Sequence, residues 1–203
     1  MAILRIFEPI GIVFNEDLPP LNAVTRFILR RQCRREIEPF VLGYLFDRFP
    51  RLKSLVHEPW QKWDRVAQEL IYDEEHLKLL ESHFPPTLKQ ISMFEETNEV
   101  YNELLRRRLP MIGPDAIRVA SPAVGAALEK RSLNCEKLSV AFIVGAKDFL
   151  QSYQRHWVWK HMRVLIVTSR ILTCTADLKE ITSLLRIAAT AALSMPSLHT
   201  MVL

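Results

Sequence analysis

The most regular hydrophobic pattern in the chain lies between Glu136 and Met195, where apolar residues recur every seven positions in two series offset by three. Lys160 is the one residue of these series that breaks the apolar pattern, and no proline occurs between Pro122 and Pro196. Apolar pairs at this spacing are typical of helices that pack along a common seam. The predicted packing seam consists of Ile143, Leu150, Trp157, Val164, Ile171, Leu178 and Leu185.

This stretch can be interpreted as one helix or as two. A continuous helix would be about 90 Å long at 1.5 Å per residue, which is too long for a compact domain of this size. Between Thr173 and Asp177 the chain contains β-branched residues of low helix propensity, and Asp177 with Glu180 resembles the start of a new helix. We therefore favour two packed helices, the second running from Leu178 to Met195.

The remaining segments also predict helices. We expect an extended apolar arm over residues 1–20, an N-terminal helical region over residues 21–109, a linker over residues 110–121 and a C-terminal helical region over residues 122–203, all in one integrated domain. Proline is typical of the first turn of a helix, so Pro39 and the Ser121-Pro122 pair mark two predicted helix starts. No internal repeat of about 30–45 residues is evident. The predicted fold class is all-α: a multi-helix bundle of roughly seven to nine helices around a long C-terminal heptad-patterned helix or helix pair.

Composition and motifs argue against the common enzyme classes. The chain has five glycines, whereas average usage would give about fourteen. Nucleotide-binding α/β folds need glycine for their phosphate loops, and no Walker A loop, GxGxxG, GxSxG or HExxH motif is present. We therefore expect a protein that is not an enzyme, has no cofactor and offers no identified small-molecule substrate site.

The strongest candidate for partner binding is a cluster of arginines near the N-terminus. If residues 21–38 form a helix, Arg26, Arg30 and Arg34 share one stripe, and Arg31 and Arg35 flank it. Guanidinium groups suit phosphates and carboxylates. With a net charge of +4, the stripe predicts contact with anionic phospholipid, RNA or an acidic protein, although a merely solvated basic face is the alternative.

A second candidate patch combines tryptophan with basic residues. Trp157, Trp159, Lys160 and Arg163 could stack on RNA bases or lie at a membrane interface. The alternative is that both tryptophans pack in the core while the charged side chains extend into solvent. We favour the second interpretation, because Trp157 already belongs to the predicted seam.

Two histidines, His76 and His83, lie in an acidic segment and could ligate a metal from one helix face. The Glu-x-x-His pair of di-metal helical bundles is missing, because Asp73 and Leu80 occupy the positions three before the histidines. A capped, solvated acidic helix is therefore favoured, and we expect no metal.

These observations predict a non-catalytic structural or accessory subunit of a large multiprotein assembly, with other protein subunits as its partners. An organellar assembly fits the basic charge: a mitochondrial inner-membrane complex such as ATP synthase or the respiratory chain, or the mitochondrial ribosome. An RNA-binding helical protein and a helical metal protein or enzyme using His76 and His83 are the alternatives. The N-terminus lacks a secretory signal, so we expect a mitochondrial or otherwise cytoplasmic protein.

Overall fold

The computed structural model of the chain describes residues 10–14, 16–33, 37–60, 71–95, 120–151, 154, 156–173 and 175–203. Six strands form one sheet: β1 (Arg26–Leu29), β2 (Ser54–His57), β3 (Gln90–Phe94), β4 (Lys137–Ala141), β5 (Val164–Val167) and β6 (Thr200–Val202). The helices are α1 (Pro39–Asp47), α2 (Asp73–Lys78, extended by a π-helical segment Leu79–His83), α3 (Pro122–Ser132), α4 (Ala146–Gln151) and α5 (Leu178–Ala192). A short 3-10 helix covers Arg31–Cys33.

The strands lie in the sheet in the same order as in the chain, and every neighbouring pair is parallel. The order never reverses, so each connection moves in the same direction along the sheet. Connections between parallel strands are almost always right-handed, and right-handed connections in one direction place the connecting helices on one side of the sheet. This is the arrangement of repeat proteins, in which each strand–helix unit contacts mainly its neighbours.

A repeated apolar pattern holds the sheet to the helices. Each strand region carries core residues at three positions, spaced n, n+3 and n+5; the parallel register aligns the n+3 positions across all six strands and the n+5 positions across β1 to β5. The three rows, called the core ladder below, are Val24, Leu52, Leu88, Cys135, Met162 and Leu198; Phe27, Leu55, Ile91, Leu138, Leu165 and Met201; and Leu29, His57, Met93, Val140, Val167 and Leu203. All except His57 belong to the hydrophobic core or pack against it.

Three helix starts follow the sequence closely. Pro39 occupies the first turn of α1, and Ser121-Pro122 begins α3. The carboxylate of Asp177 accepts a hydrogen bond from the backbone N–H of Lys179 at 2.9 Å and caps α5. These three predicted helix starts are confirmed. None of the helices in the described ranges is both long and apolar enough to cross a membrane.

The all-α bundle and the coiled coil are wrong predictions, because the protein is α/β with a six-stranded parallel sheet. Residues of the predicted seam fall into different elements. Ile143 and Leu150 are buried in the turn after β4 and in α4, Val164 starts β5, and Leu178 and Leu185 are mostly exposed on α5. Trp157 and Ile171 lie in loops. Their spacing of seven reflects the high apolar content of strands and helices that alternate over short distances, and no shared helix face exists.

The helix predicted over residues 21–38 is also wrong, and the predicted helical region over residues 21–109 contains strands. Residues 26–29 and 90–94 form β1 and β3. The Thr87 hydroxyl donates to the carbonyl oxygens of Pro50 (3.2 Å) and Leu52 (2.8 Å) and so joins the segment before β3 to the segment before β2.

The predicted arm and linker are described only in part. Residues 1–9 lie outside the described part of the chain, and Ile10 forms a parallel bridge with Ile37. Residues 96–119, which include most of the predicted linker, also lie outside it.

The two faces of β4 should respond differently to truncation. Leu138 is fully buried in the core ladder, so Leu138→Ala should lower the free energy of unfolding by about 2–5 kcal/mol through lost contacts and the cavity that remains. Its neighbour Ser139 lies on the opposite face, and Ser139→Ala should change stability by less than about 0.5 kcal/mol. Urea unfolding of both variants measures this difference, and equal effects would contradict the assignment of faces.

Candidate interaction surface

One face of the sheet is turned away from the core ladder. Its residues alternate with the ladder residues along every strand, and all of them are half-buried or exposed. The register aligns two complete rows across six strands. These rows are Arg26, Ser54, Gln90, Lys137, Val164 and Thr200; and Ile28, Val56, Ser92, Ser139, Ile166 and Val202. We call this surface the open face.

The open face is unusual for a parallel sheet. All-parallel sheets normally have both faces covered by helices, because their strands are apolar on both sides. Strand β5 follows that rule in sequence, since all of Val164, Leu165, Ile166 and Val167 are apolar, yet Val164 and Ile166 lie on the open face and are partly accessible. Ile28 is 44% exposed and Val202 47% exposed in the same row. The open face therefore carries accessible apolar side chains that the described helices do not cover.

A group of rings and a cation lies where the strands end at the carboxyl edge of the open face. The rings of Phe94 and Phe142 meet edge to face, with centroids 5.5 Å apart and an interplanar angle of 83°. The guanidinium carbon of Arg31 lies 5.2 Å from the centroid of the Phe94 ring. Such edge-to-face and cation–π contacts stabilise aromatic groups that remain accessible to a partner. We call these three residues the aromatic cluster.

Phe142 has a strained backbone as well as an accessible ring. Its φ is 68°, in the left-handed region that glycine adopts more easily, and its side chain is 47% exposed. Its backbone N–H donates to the hydroxyl of Thr168 at 2.9 Å, and the Thr168 carbonyl accepts from Ala146 at 3.0 Å. Strain at a residue that buries little of its own surface is typical of functional positions. Thr168 thus holds the backbone of Phe142 in this conformation, while the contact with Phe94 positions its ring.

The predicted arginine stripe does not exist as a helix face, because β1 separates its members along a strand. Arg26 lies at the amino end of β1, whereas Arg30 and Arg31 follow its carboxyl end. Arg34 and Arg35 lie outside the described residues. Arg31 joins the aromatic cluster, and Arg26 joins basic residues of other strands that the sequence reasoning did not group with it.

The predicted tryptophan–basic patch is divided between core and surface. Trp159 is fully buried, and its indole N–H donates to the Ser132 hydroxyl at 2.7 Å. Trp157 is half-buried and packs against the core. Lys160 and Arg163 are exposed before β5. The interpretation of core tryptophans with solvated charges therefore fits both rings.

The two histidines of the metal alternative have separate structural surroundings. His76 is buried, its Nδ1 lies 2.8 Å from the Tyr72 carbonyl, and its ring stacks on His57 at 5.9 Å. His83 contacts both carboxylate oxygens of Asp47 at 3.0 and 3.1 Å, and it covers Gly43 so closely that a Cβ there would lie 2.8 Å from its ring. Within the described ranges, no three potential ligands converge on a metal position.

His57 was missed by the sequence reasoning. It occupies the third row of the core ladder between Leu29 and Met93, and in the described part of the chain neither ring nitrogen has a hydrogen-bond partner. Burial, with a smaller contribution from His76, lowers the pKa of His57 to about 3. A neutral, unsatisfied imidazole thus stands where the other strands place apolar side chains.

Two other ionisable groups are buried on the helix side. Glu129 in α3 is fully buried, its carboxylate oxygens have no hydrogen-bond partner among the described residues, and burial raises its pKa to about 8. Burial also raises the pKa of the Cys135 thiol to about 12, which keeps this ladder residue a thiol and a poor nucleophile.

A cavity of about 350 Å³ lies on the helix side between the π-helical segment and α3. Phe84, Leu88 and Ile91 supply much of its apolar wall. The Arg131 guanidinium at its rim donates to the carbonyl oxygens of Leu80 and Glu81 and so joins the two elements. These contacts make Arg131 a structural residue.

Comparison with known proteins adds a family. Residues 83–203, more than half of the chain, match a family described as "Family of unknown function (DUF6546)". The chain belongs to this family. No curated protein and no solved structure matches it. The part of this DUF6546 chain that matches the family includes β3 to β6, with both rings of the aromatic cluster, whereas β1, β2 and Arg31 precede it.

Replacing His57 by leucine should stabilise the protein, and more so in acid. At pH 7.5 His57→Leu should raise the free energy of unfolding by about 1–3 kcal/mol, because an unsatisfied buried polar group is removed. The unfolded chain binds a proton below pH 6.5 that folded His57 cannot bind until about pH 3. The gain should therefore grow by about 2–3 kcal/mol between pH 7.5 and pH 4.5.

Urea unfolding across this pH range measures the effect, with His161→Leu as an exposed control. A gain that does not change with pH would contradict the buried neutral imidazole.

Glu129→Gln should show the opposite pH dependence. The folded carboxyl keeps its proton up to about pH 8, whereas the unfolded one loses it near pH 4.5, so wild-type stability falls as pH rises between these values. The variant lacks this titration, so its free energy of unfolding should rise relative to that of wild type from pH 5 to pH 8. Thermal unfolding of the variant beside the exposed control Glu180→Gln tests it; parallel pH profiles of wild type and Glu129→Gln would rule it out.

Proposed function

We propose that this DUF6546 chain is a non-catalytic interaction module that binds a partner protein on the open face of its parallel sheet. The observation that carries the proposal is the face itself: six parallel strands with accessible apolar residues on one side and the described helices on the other. Repeat proteins with this arrangement use the exposed sheet surface for binding. A role as a subunit of a larger assembly is thus retained, with the open face as the contact in place of helix packing and an arginine stripe.

The chemistry of the open face supports a protein as the partner. The row that begins with Ile28 has branched apolar residues on the outer strands, at Ile28, Val56 and Ile166. On the two central strands it has small hydroxyl side chains, at Ser92 and Ser139. Small central residues leave room for the partner's side chains, and the surrounding apolar groups supply buried area.

The aromatic cluster supplies the residues expected to dominate the binding energy. Aromatic and arginine side chains are enriched among interface residues whose truncation costs most. The Thr168 hydroxyl already holds the backbone of Phe142 and its ring already packs against Phe94, so little conformational entropy is lost when a partner covers it.

The organellar location remains a prediction from the sequence.

Site-specific photo-crosslinking tests the surface. The phenylalanine analogue p-benzoylphenylalanine is placed at Phe142 or Ile166 on the open face, and at Leu185 on the exposed side of α5, in cells that express the chain. We expect the same protein to be crosslinked from both open-face positions and not from Leu185. Crosslinks to unrelated proteins, or to the same partner from α5, would count against the open face.

Binding of the identified partner is then measured with purified proteins. Phe142→Gly should weaken binding by about tenfold or more, because an exposed ring of the aromatic cluster is removed. Its free energy of unfolding should stay within about 1 kcal/mol of wild type, because glycine relieves the backbone strain at the positive φ while the edge-to-face contact with Phe94 is lost. Leu185→Ala removes a similarly exposed apolar side chain from α5 and should change binding by less than about twofold. Equal weakening by both variants would refute the proposed site.

A further inference from the structure

Basic side chains from five strands converge on the amino edge of the sheet. The residues before the strands are joined by backbone hydrogen bonds from Lys53 to Thr25, Lys89 to Lys53, Glu136 to Lys89 and Arg163 to Glu136, at 2.8–2.9 Å. The next row contains Arg26 of β1 and Lys137 of β4. We call the five cations of these two adjacent rows the basic band: Arg26, Lys53, Lys89, Lys137 and Arg163.

The sheet sets the dimensions of this band. Neighbouring strands are about 4.8 Å apart, so the cations from β1 to β5 span about 19 Å along one edge. This length fits a short extended peptide that crosses the strands. Arg26 and Lys137 lie on the open-face side of the strands, whereas Lys53, Lys89 and Arg163 precede theirs, so the band is continuous with the open face.

The charges of the band are not neutralised within the described part of the chain. Arg26, Lys53, Lys137 and Arg163 are exposed, and none of them forms an ion pair with a described residue. The Lys89 amine donates to the Asn134 carbonyl at 3.2 Å, which positions it without cancelling its charge. One carboxylate, the half-buried Glu136, lies in the same rows. Cations held at this spacing repel one another until an anionic partner binds.

We propose that the basic band binds an acidic segment of the partner protein that the open face holds. The inference rests on the proposed function for the identity of the partner and on charge complementarity for the segment. Carboxylates would approach the cations of the band while the backbone of the segment meets the hydroxyl and amide groups that share a row with Arg26 and Lys137, at Ser54, Gln90 and Thr200. Electrostatic complementarity of this kind orients a partner and speeds its association.

The arrangement of rings favours a peptide over a nucleic acid. Proteins that bind single strands interleave basic groups with aromatic platforms for the bases. The accessible rings of the open face, Phe94 and Phe142, lie at its opposite edge, about 13 Å along the strands from the band. Trp159, which lies beside the amino end of β5, is fully buried.

The test uses the full chain and a fluorescent peptide of about ten residues with glutamate at alternate positions, followed by anisotropy from low to physiological salt. Arg26→Gln, Lys53→Gln, Lys137→Gln and Arg163→Gln are combined in one variant. A matched control combines substitutions of exposed or half-buried helix-side cations: Lys130→Gln, Lys147→Gln, Lys179→Gln and Arg186→Gln. Both variants lower the formal net charge from +4 to 0. Circular dichroism melts check that both are folded.

We expect the band variant to bind the peptide about tenfold or more weakly than wild type, and the control to bind within about twofold of it. Equal losses would show that net charge alone attracts the peptide and would overturn the proposal. Failure of the wild-type chain to bind the peptide would also overturn the proposal. Tighter, band-dependent binding of oligouridine or of phosphatidylserine vesicles at the same salt would replace the acidic segment with a nucleic acid or a membrane.

Phe142→Gly separates this inference from the proposed function. The variant should keep its affinity for the glutamate peptide while it loses the crosslinked partner. If the band variant binds that partner as tightly as wild type does, the proposal for the basic band is wrong and the proposal for the open face is supported. If the peptide binds through the band but no partner is crosslinked from the open face, the proposal for the open face is wrong.

Discussion

The parallel register of six short strands is the constraint on which the rest of the structure depends. It aligns the core ladder, so that residues from distant parts of the chain, such as Leu55, Ile91, Leu138 and Leu165, form one continuous apolar row beneath the helices. Each strand alone buries only two or three side chains, so no strand–helix unit has enough core to be stable by itself. Stability arises where neighbouring units stack, and the cost of one buried, unsatisfied imidazole at His57 is offset by the apolar side chains of the rest of the core ladder.

The same constraint determines where the protein can bind. A strand order that never reverses keeps the described helices on one side, which leaves the other face of the sheet free of described helices and accessible to the proposed partner. Alternation along the strands then divides the residues by role: Leu138 and Val140 stabilise the core, while Lys137, Ser139 and Ala141 meet the outside. The two edges of that face differ in chemistry, with cations where strands begin and rings where they end. A partner can therefore be oriented by charge at one edge and held by apolar contact at the other.

Parts of the fold were predictable from the sequence. The helix starts at Pro39, Pro122 and Asp177 were readable because capping and proline effects are local. The sheet was not, since a run such as residues 164–167 is apolar on both faces and shows no alternation. Strands begin at intervals of 28, 36, 47, 27 and 36 residues, so a search for a fixed period misses the repeat. The low glycine count wrongly argued against an α/β fold, because the described turns of this sheet do not depend on glycine at positive φ. No described glycine has a positive φ, and the one described residue that does is Phe142. Aligning the n, n+3, n+5 pattern would have placed Phe94 and Phe142 at strand ends and grouped Arg26 with Lys137.

The central claim of the proposal is that the open face is accessible in the free chain and becomes covered when the proposed partner binds. Hydroxyl-radical footprinting with mass spectrometry measures this directly, because Phe142 is 47% exposed whereas Phe149, in the following helix, is fully buried. In the isolated chain we predict rapid oxidation of Phe142 and protection of Phe149. In the native complex Phe142 should become protected while Leu185 on α5 stays reactive. Protection of Phe142 in the isolated chain, or its unchanged oxidation in the complex, would contradict this account.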